Sequence, residues 1–179
     1  MPRLWIVGYG SPVRWDRLFA ELEAQATDIE RDERDALVDE LRDGEWAETS
    51  WRDLAGGRVV VEVLGAGRVE GIVTLVNERL LQLTGDRVDH VVAARAVLVL
   101  HEAERRAEVA GRVAASLGWG HVFRAVRDAG EEISVRLVDG SSRDGVVEVV
   151  GRDFVQMAGP AGRSRVVVWE AVSMISGRR

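Results

Sequence analysis

The sequence predicts a mainly β protein with helices: two tandem five-stranded small barrels, each preceded by a helix, behind a long acidic N-terminal helix. Three observations carry that expectation. Residues 59–100 and 133–175 match each other at an offset of 74. Within each stretch apolar and polar residues alternate over short runs bounded by Gly, Asp, Asn or Ser, which marks half-buried antiparallel strands. Ahead of both, apolar residues recur at spacings of three, four and seven among charged neighbours, the period of an amphipathic helix.

In order, residues 1–13 hold Gly8, Gly10, Ser11 and Pro12 and follow no regular period, so they read as a loose arm. Val13 stands where a phosphate-loop fingerprint needs its third glycine. Gly8-Tyr9-Gly10-Ser11 is similar to a short stretch of γ-glutamylcyclotransferases, but the residues that follow do not continue the likeness. Residues 14–53 form an acidic helical segment. Trp15, Leu18, Phe19, Leu22, Ala26, Ile29, Leu37 and Leu41 line one face, with Pro12 just inside the start and Gly44 just past the end. At 1.5 Å per residue such a helix is roughly 43 Å long, more than one small barrel covers. It is expected to pack against a neighbouring helix or another subunit.

The first barrel is expected over 54–101, with Ser50 capping a short helix at residues 51–54. Linking helices follow over 102–129: a helix over 102–117 striped with Ala103, Ala107, Ala110, Ala114 and Leu117, a break at Gly118-Trp119-Gly120, and a short helix through Val122, Phe123 and Val126. The second barrel takes 130–179. The offset places Val59, Val61 and Val63 on Ile133, Val135 and Leu137, Gly71 on Gly145, Gln82 on Gln156 and Gly85 on Gly159. A one-residue insertion then sets Ala96-Val97 on Ala171-Val172, and the whole agreement reads as an internal duplication. Turns are expected at Ala66-Gly67, Gly140-Ser141, Asn77-Glu78 and Gly151-Arg152. Five short strands need to bend to enclose a core, and Gly71 and Gly145 permit the bend.

The string Val138-Asp139-Gly140, continued by Gly145 through Gly151-Arg152-Asp153-Phe154-Val155-Gln156-Met157, together with a helix before five bent strands, resembles the Sm-like fold. The layout also looks like that of a group of actinobacterial proteins. The Sm resemblance covers 59–100 and 133–175 and implies ring-forming oligomers that bind RNA. Its RNA-contact Asn falls here on Leu81 or Gln82 and on Val155 or Gln156. Its Arg-Gly step falls on Ala94-Arg95-Ala96 and on Trp169-Glu170-Ala171, so neither motif is matched in full. Gln82, Arg95, Arg152 and Gln156 are the candidate RNA contacts, a Gln amide being able to hydrogen-bond a base edge.

Composition narrows the function. There is no Cys, hence no disulfide, thiolate metal site or cysteine nucleophile. Every one of the 24 basic residues is Arg, a usage that codon bias in a GC-rich genome also explains. Residues 14–53 hold 6 Arg against 14 Asp and Glu (net −8), whereas 54–179 hold 17 against 16 (net +1), which speaks against a general nucleic-acid binder and against DNA. Of the three His, His101-Glu102 begins like a zinc-protease helix, but Arg105 replaces the second ligand. No catalytic residue, metal or cofactor is expected, and the chain reads as a non-enzyme. Trp5, Trp15, Trp46, Trp51, Trp119 and Trp169 read as anchors of helices onto the barrels, with RNA stacking as the other use. The apolar run at residues 4–7 is too short to span a membrane, and a cytoplasmic location is expected. The expected role is a non-catalytic assembly or adaptor protein that forms a homo-oligomer through the N-terminal helix; the alternative is an Sm-type RNA binder.

Overall fold

The computed structural model describes residues 42–104, 112–159 and 162–178. The loose arm and most of the long acidic helix lie outside these residues, as does the expected oligomer contact through that helix. Residues 42–48 are helical (α1), so the helix passes through Gly44 instead of ending at it. Glycine costs a helix interior only ~1 kcal/mol, and Thr49 Oγ1 donates to the Glu45 carbonyl at 2.8 Å where the turn ends.

The second compact unit, Ser50–Arg179, is mainly β. Its strands are β1 (Arg58–Val63), β2 (Gly67–Val76), β3 (Leu80–Thr84), β4 (Val88–Ala93) and β5 (Val97–His101), then β6 (Glu132–Leu137), β7 (Ser142–Val150), β8 (Phe154–Ala158), β9 (Ser164–Val168) and β10 (Val172–Arg178). Every pairing is antiparallel, in the order β5-β1-β2-β3-β4-β10-β6-β7-β8-β9. The ten strands therefore form one continuous sheet, not two closed barrels. Neither set of five seals its own edge. The open edge of β4 is instead paired with β10, which removes exposed backbone donors and acceptors as effectively as closure would.

The two sets are built alike down to single residues. Val59 faces Gly71 as Ile133 faces Gly145. The ladder of the second strand slips at Thr74 in one set and at Glu148 in the other. That of the fifth slips at Leu98 and at Ser173. Both three-residue turns before the fifth strand, Ala94–Ala96 and Trp169–Ala171, are held the same way, Ala94 N donating to Arg79 O at 2.8 Å and Trp169 N to Asp153 O at 2.9 Å. The 74-residue offset, with its one-residue insertion, is thus the offset of the hydrogen-bond ladder.

One hydrophobic core runs through both sets. Val59, Val61, Leu81, Leu83, Val135, Val155 and Val172 are buried in it, and β10 buries four successive residues, Val172 to Ile175, as expected of a strand covered on both faces. Ser50 caps a 3-10 turn at Trp51–Leu54, its hydroxyl accepting from Arg52 N and its own N–H donating to Asp53 at 2.8 Å. Helices α2 (Arg112–Ser116) and α3 (Trp119–Ala129) precede β6. The helix expected from residue 102 does not begin there. Glu102 has φ +57° and Glu104 bridges Ala55 and Gly56, so the chain after β5 is held extended. Gly118 is the N-cap of α3, while Trp119 and Gly120 belong to its first turn, and Trp119 and Phe123 pack inward with ring centroids 5.4 Å apart.

At the seam between the sets, His90 of β4 and Ser176 of β10 are 2.8 Å apart. Burial lowers the His90 pKa below 6.5, outweighing the opposite pull of Asp89. A depressed histidine favours its neutral form in the fold, so its contribution is complete above pH 6.5 and is lost as pH falls. The Glu62 and Asp139 carboxyls, held down by His101 and Ser141, titrate below 4.5 and outside this window. The urea midpoint is expected to drop between pH 7.5 and 5.5 in the native protein and to drop much less in His90→Gln. Equal drops in both would remove His90 as the cause.

Candidate functional site

The turns that close each set converge. The β2–β3 turn of the first set supplies Glu78 and Arg79, and that of the second supplies Gly151 and Arg152. The turns before β5 and β10 supply Arg95, Trp169 and Glu170. With the first turn of α3 they surround a cleft of about 730 Å³, within the ~300–1,000 Å³ range of ligand sites. Four Arg (Arg79, Arg95, Arg124, Arg152) and two Glu (Glu78, Glu170) stand on its walls, a net of +2 in a chain of net charge −6.

Two glycines let these walls approach. A Cβ at Gly118 would lie 3.4 Å from Arg79 Cδ and Nη1, so that side chain crosses the start of α3. One at Gly120 would lie 3.0 Å from the Trp169 ring and 3.3 Å from Arg124 Nη2. Asn77 fixes the turn behind them. Its amide donates to the Ala114 and Leu117 carbonyls at 2.7 and 3.1 Å, and its oxygen accepts from Arg79 N and Leu80 N at 2.8 and 2.9 Å. A buried Asn with all of these bonds made ties the β2–β3 turn to the end of α2.

Of the four residues singled out in the sequence, Arg95 and Arg152 share this cleft, but Gln82 and Gln156 do not. Gln82 lines a separate cavity of about 380 Å³ beneath α3, with Leu117, Val122 and Ile175. Gln156 donates to Glu148 at 3.4 Å beside Ser164. Arg95 is also partly committed to the fold: its Nη2 donates to the carbonyls of Trp169 (3.0 Å), Glu170 and Val172 (3.1 Å), tying the turn of the first set to that of the second. Arg79, Arg124 and Arg152 are exposed and make no ion pair among the described residues, although Glu78 and Glu170 share the cleft. Sequence reasoning missed Arg79 and Arg124. The available signal was Arg124 next to the inward-facing Phe123 and just past the Gly118-Trp119-Gly120 break, where a side chain leaves α3 on the side of its N-terminus.

Among the described residues no three His, Asp or Glu side chains converge to hold a metal ion. Chemically, the arrangement offers guanidinium donors, which suit phosphate oxygens in a fixed fork, and an indole wall. Compared with protein-family models and with curated proteins, the chain gives no match.

Proposed function

We propose that this protein is a non-catalytic, Sm-like RNA-binding module that holds a single-stranded RNA backbone in the arginine cleft. The observation that carries the reading is the convergence of Arg79, Arg124 and Arg152, unpaired among the described residues, on one cleft of an otherwise acidic chain. The 5-1-2-3-4 strand order of each set and the resemblance around Gly145–Met157 support the Sm-like assignment. Trp169 beside the arginines gives a surface on which a base can stack, worth ~1–3 kcal/mol per base in such sites.

The test is fluorescence anisotropy with a labelled single-stranded RNA at 50 and 200 mM salt. Three phosphate contacts give a log–log salt slope of about −2. Arg124→Glu and Arg152→Glu are each expected to weaken binding about tenfold or more, while Gln156→Ala leaves it unchanged. A flat titration at 50 mM salt, or equal affinity for duplex DNA, would end this reading. A second reading, the assembly or adaptor protein, is favoured by a different observation, the two edges of the sheet, β5 and β9, that have no partner among the described residues.

A further inference from the structure

The cavity beneath α3 that takes Gln82 has two kinds of wall. Leu117, Val122 and Val126 line it from the helix side, and Val91, Ile133 and Ile175 line it from β4, β6 and β10, so most of its surface is apolar. Two carboxylates, Asp89 and Glu131, also line it, and among the described residues no Arg does. The arginine cleft lies on the other flank of the same helix, and the two share only His121. At about 380 Å³, the cavity stands near the lower end of the ~300–1,000 Å³ range of ligand sites.

The two carboxylates meet at one end. In the ladder Gly177 stands between Asp89 of β4 and Ile133 of β6. A Cβ on Gly177 would lie 3.8 Å from Glu131 Oε2 and 3.8 Å from Ile133 Cγ2. Asp89 and Glu131 thus flank the one lining position that has no side chain, and neither makes an ion pair among the described residues. Asp89 Oδ1 is buried without a hydrogen-bond partner among the described residues. Buried polar atoms are almost always partnered, and a carboxylate in an apolar enclosure is costly until a cation meets it. We infer that this cavity binds a small organic ammonium, whose N–H groups donate to Asp89 Oδ1 and Glu131 while its apolar body lies against Leu117, Val122 and Val126.

Charge and shape together select this ligand class. A bare metal ion finds no third acidic or histidine ligand among the described residues and leaves the apolar walls uncovered. An anion is repelled by both carboxylates, and a neutral apolar molecule leaves Asp89 Oδ1 without a donor. An ammonium carries several N–H donors on one small head, enough to serve both carboxylates. Because the site lies between α3 and the sheet, its occupant holds the helix down and stabilises the fold by mass action. The inference does not rest on RNA binding, which needs the opposite charge and uses the other flank of α3.

The experiment titrates the full chain, freed of nucleic acid by nuclease and high salt, with phenethylammonium chloride and follows backbone amide NMR signals. Saturable shifts are expected at Asp89, Val126 and Gly177, together with a rise in the melting temperature. Phenethyl alcohol, which keeps the ring and lacks the charge, is expected to bind about tenfold more weakly or less, the worth of one charge-assisted hydrogen bond. Methylammonium, which keeps the charge and lacks the apolar body, is expected not to saturate. Asp89→Asn should weaken phenethylammonium by about tenfold or more and, having lost no partner, should melt no lower than the native protein when no amine is present. Gly177→Val, where a Cβ meets nothing closer than 3.8 Å, should keep the strand signal in circular dichroism and lose the site. Shifts that stay linear or spread over the surface, equal affinity for the alcohol, or native affinity in either variant would each overturn the inference. The comparison of amine with alcohol on the native protein decides the matter even where a variant folds poorly.

Discussion

Gly145→Ala is expected to destabilise the protein by about 3 kcal/mol or more, with the second set of strands losing its middle ladder. Two costs add. Gly145 has φ +155°, a backbone state that side-chain-bearing residues seldom adopt, at a cost of order 1–3 kcal/mol. An added Cβ would also stand 2.0 Å from the Ala158 carbonyl oxygen, which is part of the β7–β8 ladder and cannot swing aside as a side-chain tip would. The counterpart Gly71 makes the contrast. It has an ordinary φ, and its added Cβ would lie 3.0 Å from Leu83 Cβ and Thr84 O. Gly71→Ala is therefore expected to cost about 1 kcal/mol, within the common range for point substitutions. Urea unfolding of both variants decides it. Equal midpoints for the two would show that the 145 backbone carries no special strain.

Phe123→Ala is expected to cost about 3–5 kcal/mol, the usual penalty for emptying a fully buried aromatic site. Phe123 is 0% exposed, stacks on Trp119, and is the deepest residue by which α3 grips the sheet. The effect reaches the cleft, because Arg124 and the first turn of α3 form one of its walls. RNA affinity should fall with stability in Phe123→Ala, whereas Phe123→Leu should retain most of both. A variant that melts as the native protein does would mean that α3 is held by something other than this ring.

How much of this was legible in the sequence depended on range. Alternation and turn residues are local, and so the strands fall at the offset read from Val59 and Ile133, with Asn77-Glu78 and Gly151-Arg152 at the turns between the second and third strands. Edge pairing is not local. Val91 and Ile175 lie 84 residues apart and look no different from strand residues of a closed barrel, yet it is their ladder that fuses the sets into one sheet. The cleft was half legible for the same reason. Arg95 and Arg152 stood out by their turn positions, but four turns distant in sequence and a helix start had to be brought together before Arg79 and Arg124 joined them. Arg95 itself, read as a ligand contact, proved to spend one nitrogen on the carbonyls of the neighbouring turn. The helix expected over 102–117 does not start at residue 102, where Glu102 takes φ +57° and Glu104 bridges Ala55 and Gly56, contacts that the alanine stripe does not reveal, while Arg112–Ser116 within that span is helical.

The place of β10 has a consequence for how the protein is made. It follows all nine other strands along the chain but lies in the middle of the sheet, between β4 and β6. On the ribosome, which extends a chain at ~5–20 residues per second, the first five strands emerge several seconds before Val172–Arg178 can reach them. For that interval β4 exposes a naked ladder that fits the fifth strand of any neighbouring nascent copy equally well. Domain-swapped dimers are thus the expected by-product of crowded synthesis, and slowing translation should not remove them, whereas lowering expression should.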